Sequence, residues 1–174
     1  VNQNQIERPV CVLNIGGIAN ITLVVSKNKE DLKSFDVGPG NCLLDEWVRR
    51  HTQMKFDENG KASKIGKTSE VILNQAIDNF DNISNQEKLS FDIKDFDLSF
   101  VKGLSYEDGL STLVDFTAII IYQSISESIK IEENEKLLII VCGGGRKNSS
   151  LMESIRKRLP KNISLKIIDD YKID

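Results

Sequence analysis

Apolar and polar positions along the chain follow two rhythms. Val10-Cys-Val-Leu-Asn-Ile15 and Ile21-Thr-Leu-Val-Val25 are short, nearly continuous apolar runs of strand length. The five residues between them, Gly16-Gly-Ile-Ala-Asn20, give hairpin spacing, and the paired glycines let the backbone turn sharply and expose N–H groups. After a polar turn from Ser26 to Asp31, a third β-like run, Lys33 to Val37, breaks into the loop Gly38-Pro39-Gly40. At Asn41 the rhythm becomes helical, with Leu43, Leu44, Trp47 and Val48 on one stripe. Asparagine suits an N-cap, so the free N–H groups of this loop and helix start are expected to hold an anion or a polar sugar. The opening order is therefore β, β, β, α.

Asp57 to Gly66 reads as a polar loop leading to a helix that begins near Thr68-Ser-Glu. It lacks the alternating ligands and closing glutamate of an EF-hand. Val71, Ile72, Ala76 and Phe80 recur at helical spacing, whereas Phe91, Phe96, Leu98, Phe100 and Val101 are scattered among charges and predict an irregular insertion over Asn82 to Lys102. Ser105 opens a long helix with a Ser-x-x-Asp cap and one apolar stripe from Leu110 to Ile125. Leu137-Leu-Ile-Ile-Val-Cys142 is apolar on both faces, as in a parallel or central strand. It runs into Gly143-Gly-Gly-Arg-Lys-Asn148, where Asn148 caps a helix ending before Pro160, and Ile163 to Ile168 gives a last strand.

With 174 residues, 40% hydrophobic and 28% charged, the chain can bury one core. A net charge of -3 without long blocks argues against a nucleic-acid partner, and the basic run Arg156-Lys157-Arg158 reads as a solvated last helical turn. Cys11, Cys42 and Cys142 form no Cys-x-x-Cys pair and read as reduced thiols of a cytoplasmic protein; His51, the sole histidine, reads as a helix-end residue. No stretch of ~18 apolar residues or signal peptide points to a membrane or to secretion.

Seven of the eleven glycines fall in three clusters, 16–17, 38–40 and 143–145, each at the end of a strand. Such loops bring backbone close to phosphates or sugars in α/β folds, and they also serve as plain tight turns. Asp36 and Asp45 flank the second cluster. They fit a general base and a ligand orienter; equally, Asp36 fits a turn cap and Asp45 a first-turn acid paired with Arg49. Neither a P-loop nor a Rossmann fingerprint is present. Several separate glycine loops, one on a hairpin and one before a helix, match the pattern of actin-like and hexokinase-like ATPases.

Val12-Leu-Asn-Ile-Gly-Gly-Ile-Ala-Asn-Ile-Thr22, Phe35-Asp-Val-Gly-Pro-Gly-Asn-Cys-Leu-Leu-Asp-Glu-Trp47 and Cys142-Gly-Gly-Gly-Arg-Lys-Asn-Ser-Ser-Leu-Met152 resemble the signature segments of 1,6-anhydro-N-acetylmuramic acid kinases. The resemblance implies the C-terminal lobe of an actin-like, ribonuclease H-like ATPase: a mixed sheet flanked by helices, with the N-terminal lobe and the extreme C-terminus absent. It implies ATP and Mg2+ as cofactors and the sugar as substrate. Partnership would be a homodimer or pairing with the missing lobe, whose absence leaves an apolar face and self-association as expectations. Asn14, Gly16 and Gly17 would contact phosphate, and Gly143, Gly144, Gly145 and Asn148 adenosine. Asp36, Gly38, Gly40 and Asn41 would contact the sugar, Asp36 through hydroxyls or a magnesium-bound water, and Asp45 or Asp36 would be the base. Ile93 stands where many relatives carry a basic residue. The alternatives are another sugar kinase of the superfamily, without hydrolysis, or a non-catalytic nucleotide-binding remnant.

Overall fold

Val10–Ile15 (β1) buries Cys11, Leu13 and Ile15 fully on one face and leaves Val12 and Asn14 half-buried on the other, and Leu137–Cys142 (β4) beside it buries Leu137, Ile139 and Val141 on the same core face. The computed structural model describes residues 9–24, 26, 32–84, 90–129 and 135–171. Most of the expected Ser26–Asp31 turn, the lead-in before residue 9 and residues 85–89 of the expected insertion lie outside the described residues. β1 pairs antiparallel with Ile18–Val24 (β2), which pairs antiparallel with Leu32–Pro39 (β3); β4 runs parallel to β1, and Ile163–Ile167 (β5) parallel to β4. The result is a mixed sheet of order β3-β2-β1-β4-β5 flanked by helices. Its center carries the buried Leu13, Ile15, Ile21, Ile139 and Val141.

The helices are Cys42–His51 (α1), Lys61–Ile65 (α2), Glu70–Ser84 (α3), Tyr106–Ser128 (α4) and Ser149–Arg158 (α5). α4 is the central one: it packs on α1, α2, α3, α5 and β3, and its Leu110, Leu113, Ile121 and Ile125 are buried. Gly109 is required where α4 meets α1, since a Cβ there would lie 2.6 Å from Trp47 Cε2. Trp47 Nε1 then donates to the Tyr106 carbonyl at 3.0 Å, satisfying a buried donor at the crossing. Two of the expected caps form, Ser105 accepting from the Asp108 N–H and Asn148 from the Leu151 N–H, each at 3.1 Å. The hairpin loop is shorter than expected, because β2 resumes at Ile18.

Asp57 to Gly66 differs from the expected polar loop. The buried Asp57 carboxylate accepts from the Ala62 N–H at 2.9 Å, the Ser63 N–H at 3.0 Å and Ser63 Oγ at 2.8 Å, nucleating the single turn of α2. The stretch after residue 90 is irregular, with 3-10 turns at Ile93–Asp95 and Ser99–Val101. Its aromatics nonetheless pack inward: the Phe80, Phe91 and Phe96 rings lie 5.6 to 6.3 Å apart, centroid to centroid. Large apolar side chains stand exposed at Leu32, Met54, Phe56, Ile65, Val71 and Ile93. Cys11, Cys42 and Cys142 are free thiols, and burial pushes Cys11 up to about 12 and Cys42 to about 11.

Asp115 fastens α4 to α5. Burial raises its carboxyl, but hydrogen bonds from Ser154 and Thr68 and the Arg158 guanidinium outweigh burial and hold it below the ordinary range. The Asp115–Arg158 pair, 3.0 Å apart, leaves each side chain about a quarter exposed. Because the folded carboxyl is depressed, its stabilisation is full above the unfolded-state value and is lost as pH falls through the folded one. Asp115→Asn is expected to cost about 1–3 kcal/mol in denaturant unfolding at neutral pH, the upper end being that of a buried pair. The difference from the parent should vanish in strong acid; a difference independent of pH would contradict this.

Candidate functional site

The turn after β1 and the start of α1 are locked together by backbone hydrogen bonds. The Gly40, Asn41 and Cys42 N–H groups donate to the Gly17, Gly16 and Gly17 carbonyls at 2.9, 2.8 and 3.1 Å. These donors were expected to be free for an anion; instead the hairpin takes them. Nor does the Asn41 side chain cap α1: its Nδ2 donates across the sheet end to the Ile15 carbonyl at 3.3 Å. Gly40 must be glycine, because its Cβ would run into the Gly16 carbonyl. Gly38 is buried against Ile120, and a Cβ on Gly145 would run into the Ile15 side chain. Gly38, Gly40 and Gly145 therefore each have a packing reason to be glycine. Gly17 is exposed at the hairpin tip, with the half-exposed Ile93 side chain beside it.

Two groups of expected site residues emerge. In the first, Asp36, Asn20 and Asn14 are directly paired across β3, β2 and β1, and Asn14 is paired with Cys142 on β4. Opposed residues share a face, so this is a half-buried polar row across the sheet. Cys142 Sγ donates to Asn14 Oδ1 at 3.7 Å. Asp36 Oδ2 accepts from Ser90 Oγ and the Phe91 N–H, both at 3.0 Å, and its side chain lines a cavity of about 350 Å³ with Phe80, Phe91 and Glu127.

The second group surrounds a separate cavity of about 260 Å³ that contains Asn41, Asp45, Gly144 and Asn148 from the expected set. Asp45 and Asp36 thus line different cavities among the described residues. Asp45 is half-buried and its carboxylate accepts no hydrogen bond among the described residues. Its expected partner Arg49 is turned to Glu46 at 2.9 Å, and Arg50 binds the same carboxylate. Burial raises the Asp45 carboxyl above the ordinary range, and the charge of Arg49 only partly opposes that. A half-buried carboxylate without a partner, beside a cavity, is poised to accept a proton or bind a donor.

Leu44, Phe56, Asp57, Asn59 and Lys147 complete the lining. None of these five was among the site residues expected from the sequence. One signal was available: Asn59-Gly60 is a turn dipeptide, and Asn59 adopts φ 56 with Gly60 at φ 68. That turn docks on the start of α5, where Ser149 Oγ donates to the Asn59 carbonyl at 2.5 Å. Phe56 carried no signal, because an isolated aromatic in a polar loop resembles any surface residue. Among the described residues, no group of three or more His, Cys, Asp or Glu is placed to hold a metal ion.

A mixed sheet of this order, with helices against it and glycine turns gathered where β1 and β4 end, defines an α/β class of fold. Among solved structures, the chain matches the activator of the 2-hydroxyisocaproyl-CoA dehydratase from Clostridium difficile with bound ADPNP, an actin-like ATPase fold. The TM-score is 0.56 at 15% identity, over 93% of this chain and 55% of that one. The family model for anhydro-N-acetylmuramic acid kinase matches residues 2–174, and the chain belongs to that family. It is 89% identical over 174 residues to the anhydro-N-acetylmuramic acid kinase of Pelagibacter ubique (strain HTCC1062), covering all of this chain and 46% of that protein. Against the kinase of Caulobacter vibrioides (strain ATCC 19089 / CIP 103742 / CB 15), identity is 38% over 154 residues, covering 87% of this chain and 39% of that protein. The chain spans about half the length of the curated relatives it matches.

Two glycines of one turn separate packing from strain. Gly143 has φ +80, and a Cβ there would lie 2.5 Å from Asn14 Oδ1; Gly144 faces open space, with Asn41 Nδ2 at 3.8 Å. Gly143→Ala should lose about 1–3 kcal/mol in denaturant unfolding and Gly144→Ala less than about 0.5 kcal/mol. Equal losses would contradict this geometry.

Proposed function

We propose that the chain is the C-terminal lobe of a cytoplasmic bacterial enzyme that uses ATP to hydrolyse and phosphorylate 1,6-anhydro-N-acetylmuramic acid in cell-wall recycling. The observation that carries this reading is the unpartnered Asp45 carboxylate, raised by burial, in a cavity shared with Gly144 and Asn148. Membership of the kinase family supplies the substrate class. The hairpin and the Gly143–Gly145 turn are the loops that the resemblance assigns to the second lobe, and no Gly-Thr-Ser-x-Asp-Gly run occurs in the 174 residues.

Water attacks C1 of the anhydro bridge, the C1–O6 bond breaks, and O6 takes the γ-phosphoryl group of ATP. The products are N-acetylmuramic acid 6-phosphate and ADP. Asp45 takes the proton from the attacking water, a contribution of typically ~10²–10⁴-fold for a positioned base. Asp36 has one oxygen committed to Ser90 and Phe91, which favours it as an orienter of sugar hydroxyls over a base. Magnesium would ride on the nucleotide phosphates and neutralise their charge, since such sites need only one or two protein carboxylates. Asn14, Gly16 and Gly17 would face those phosphates, and Gly143 to Asn148 the adenosine.

The shared cavity also favours a second reading, in which Asp45 binds the nucleotide's ribose. Single-turnover assays in oxygen-18 water with ATP, magnesium and the anhydrosugar separate the two, if necessary after adding the other lobe. Product labelled at C1, with Asp45→Asn losing turnover but keeping ATP affinity, is the expected result. Lost ATP affinity would favour the ribose role, and phosphorylation without label would indicate an ordinary sugar kinase. As a base must be ionised, the acid limb of the rate should lie above the usual aspartate range, because the Asp45 carboxyl is raised. An acid limb within the ordinary aspartate range would contradict that.

A further inference from the structure

Among the described residues, the cavity beside Asp45 is lined by a single cationic side chain, Lys147. Three neighbouring arginines and Lys61 are committed elsewhere. Arg146 donates to the two Asp169 oxygens at 2.6 and 3.0 Å and to the Gly143 carbonyl at 2.8 Å. Arg49 and Arg50 hold Glu46, and Lys61 pairs with Glu58 at 3.2 Å. Lys147 is exposed and forms no ion pair among the described residues. It acts on Asp169 only through its field, behind the direct hydrogen bonds of Arg146.

Residues 146 and 147 are adjacent on the 3-10 turn Gly144–Lys147, yet they do different work. Arg146 ties the strand end and the Gly143 carbonyl to the segment after β5, which fixes the shape of the glycine turn. Lys147 lines the cavity and brings its charge there. An anion entering beside the Asp45 carboxylate meets repulsion that a nearby counter-charge must offset. An ammonium on a flexible stem is suited to a phosphate, which it meets as a point charge.

We propose that Lys147 is the anion contact of this cavity and takes a phosphate of the bound nucleotide. The inference rests on reading the cavity as a nucleotide site, and it assigns to Lys147 a role separate from that of the glycine turn. Calorimetric titration of ATP, ADP and adenosine into the parent chain, Lys147→Gln and Lys147→Arg tests it at low and high salt. Lys147→Gln should weaken ATP and ADP roughly tenfold, as for loss of a charged hydrogen bond at an exposed site. Adenosine affinity should be unchanged, Lys147→Arg should retain most of the ADP affinity, and added salt should weaken the parent more than Lys147→Gln. Equal loss of adenosine and ADP affinity, or unchanged ADP affinity in Lys147→Gln, would overturn the assignment alone. A parent chain that binds none of the three would overturn the nucleotide reading together with it.

Discussion

Three backbone hydrogen bonds organise the site: the Gly16 and Gly17 carbonyls accept the N–H groups of Gly40, Asn41 and Cys42. The hairpin tip and the first turn of α1 therefore form one body. A helix start normally leaves its first N–H groups without intrahelical partners, and here the hairpin satisfies those of Asn41 and Cys42. The consequence for function is positional. Asp45, one turn into α1, is placed with respect to β1 by backbone contacts, which vary less than a side-chain contact would. The glycines follow from the same constraint, since a side chain on Gly40 would push the hairpin off the helix.

The carboxylates divide according to their hydrogen bonds. Asp57 is consumed by the start of α2, Asp115 by Ser154, Thr68 and Arg158, and one oxygen of Asp36 by Ser90 and Phe91. Each stabilises a junction between elements. Asp45 has no such use, and burying part of it without a partner costs stability at neutral pH. A partly buried carboxylate with no structural bond to make is what the proposed role of Asp45 as base calls for, and it sets Asp45 apart from Asp36, Asp57 and Asp115.

Much of the fold was legible because single elements carried strong signals. β1 and β4 are continuous apolar runs, α4 has a cap and a stripe, and Asn148 sits where a helix starts after a glycine turn. The site was legible in part. Asn41, Asp45, Gly144 and Asn148 do share a cavity. The separation of Asp36 from Asp45 was hidden, because it depends on which face of the sheet β3 presents and on the docking of residues 90 and 91, far away in sequence. The fate of the Asn41 side chain was hidden for a similar reason: a local preference for capping loses to a carbonyl on β1, 26 residues earlier. Phe56 and Lys147 enter the cavity only through the docking of the Asp57–Gly60 turn on α5, which periodicity does not report.

The interlock of hairpin and helix is tested most directly by hydrogen–deuterium exchange of the Gly40, Asn41 and Cys42 amides, resolved residue by residue. If the three bonds hold the site together, these amides exchange as slowly as the central amides of β1, opening only with the whole fold. Exchange at the rate of the exposed Gly103 amide would show that the hairpin and α1 move independently, and Asp45 would then lack the fixed position on which the proposed chemistry depends.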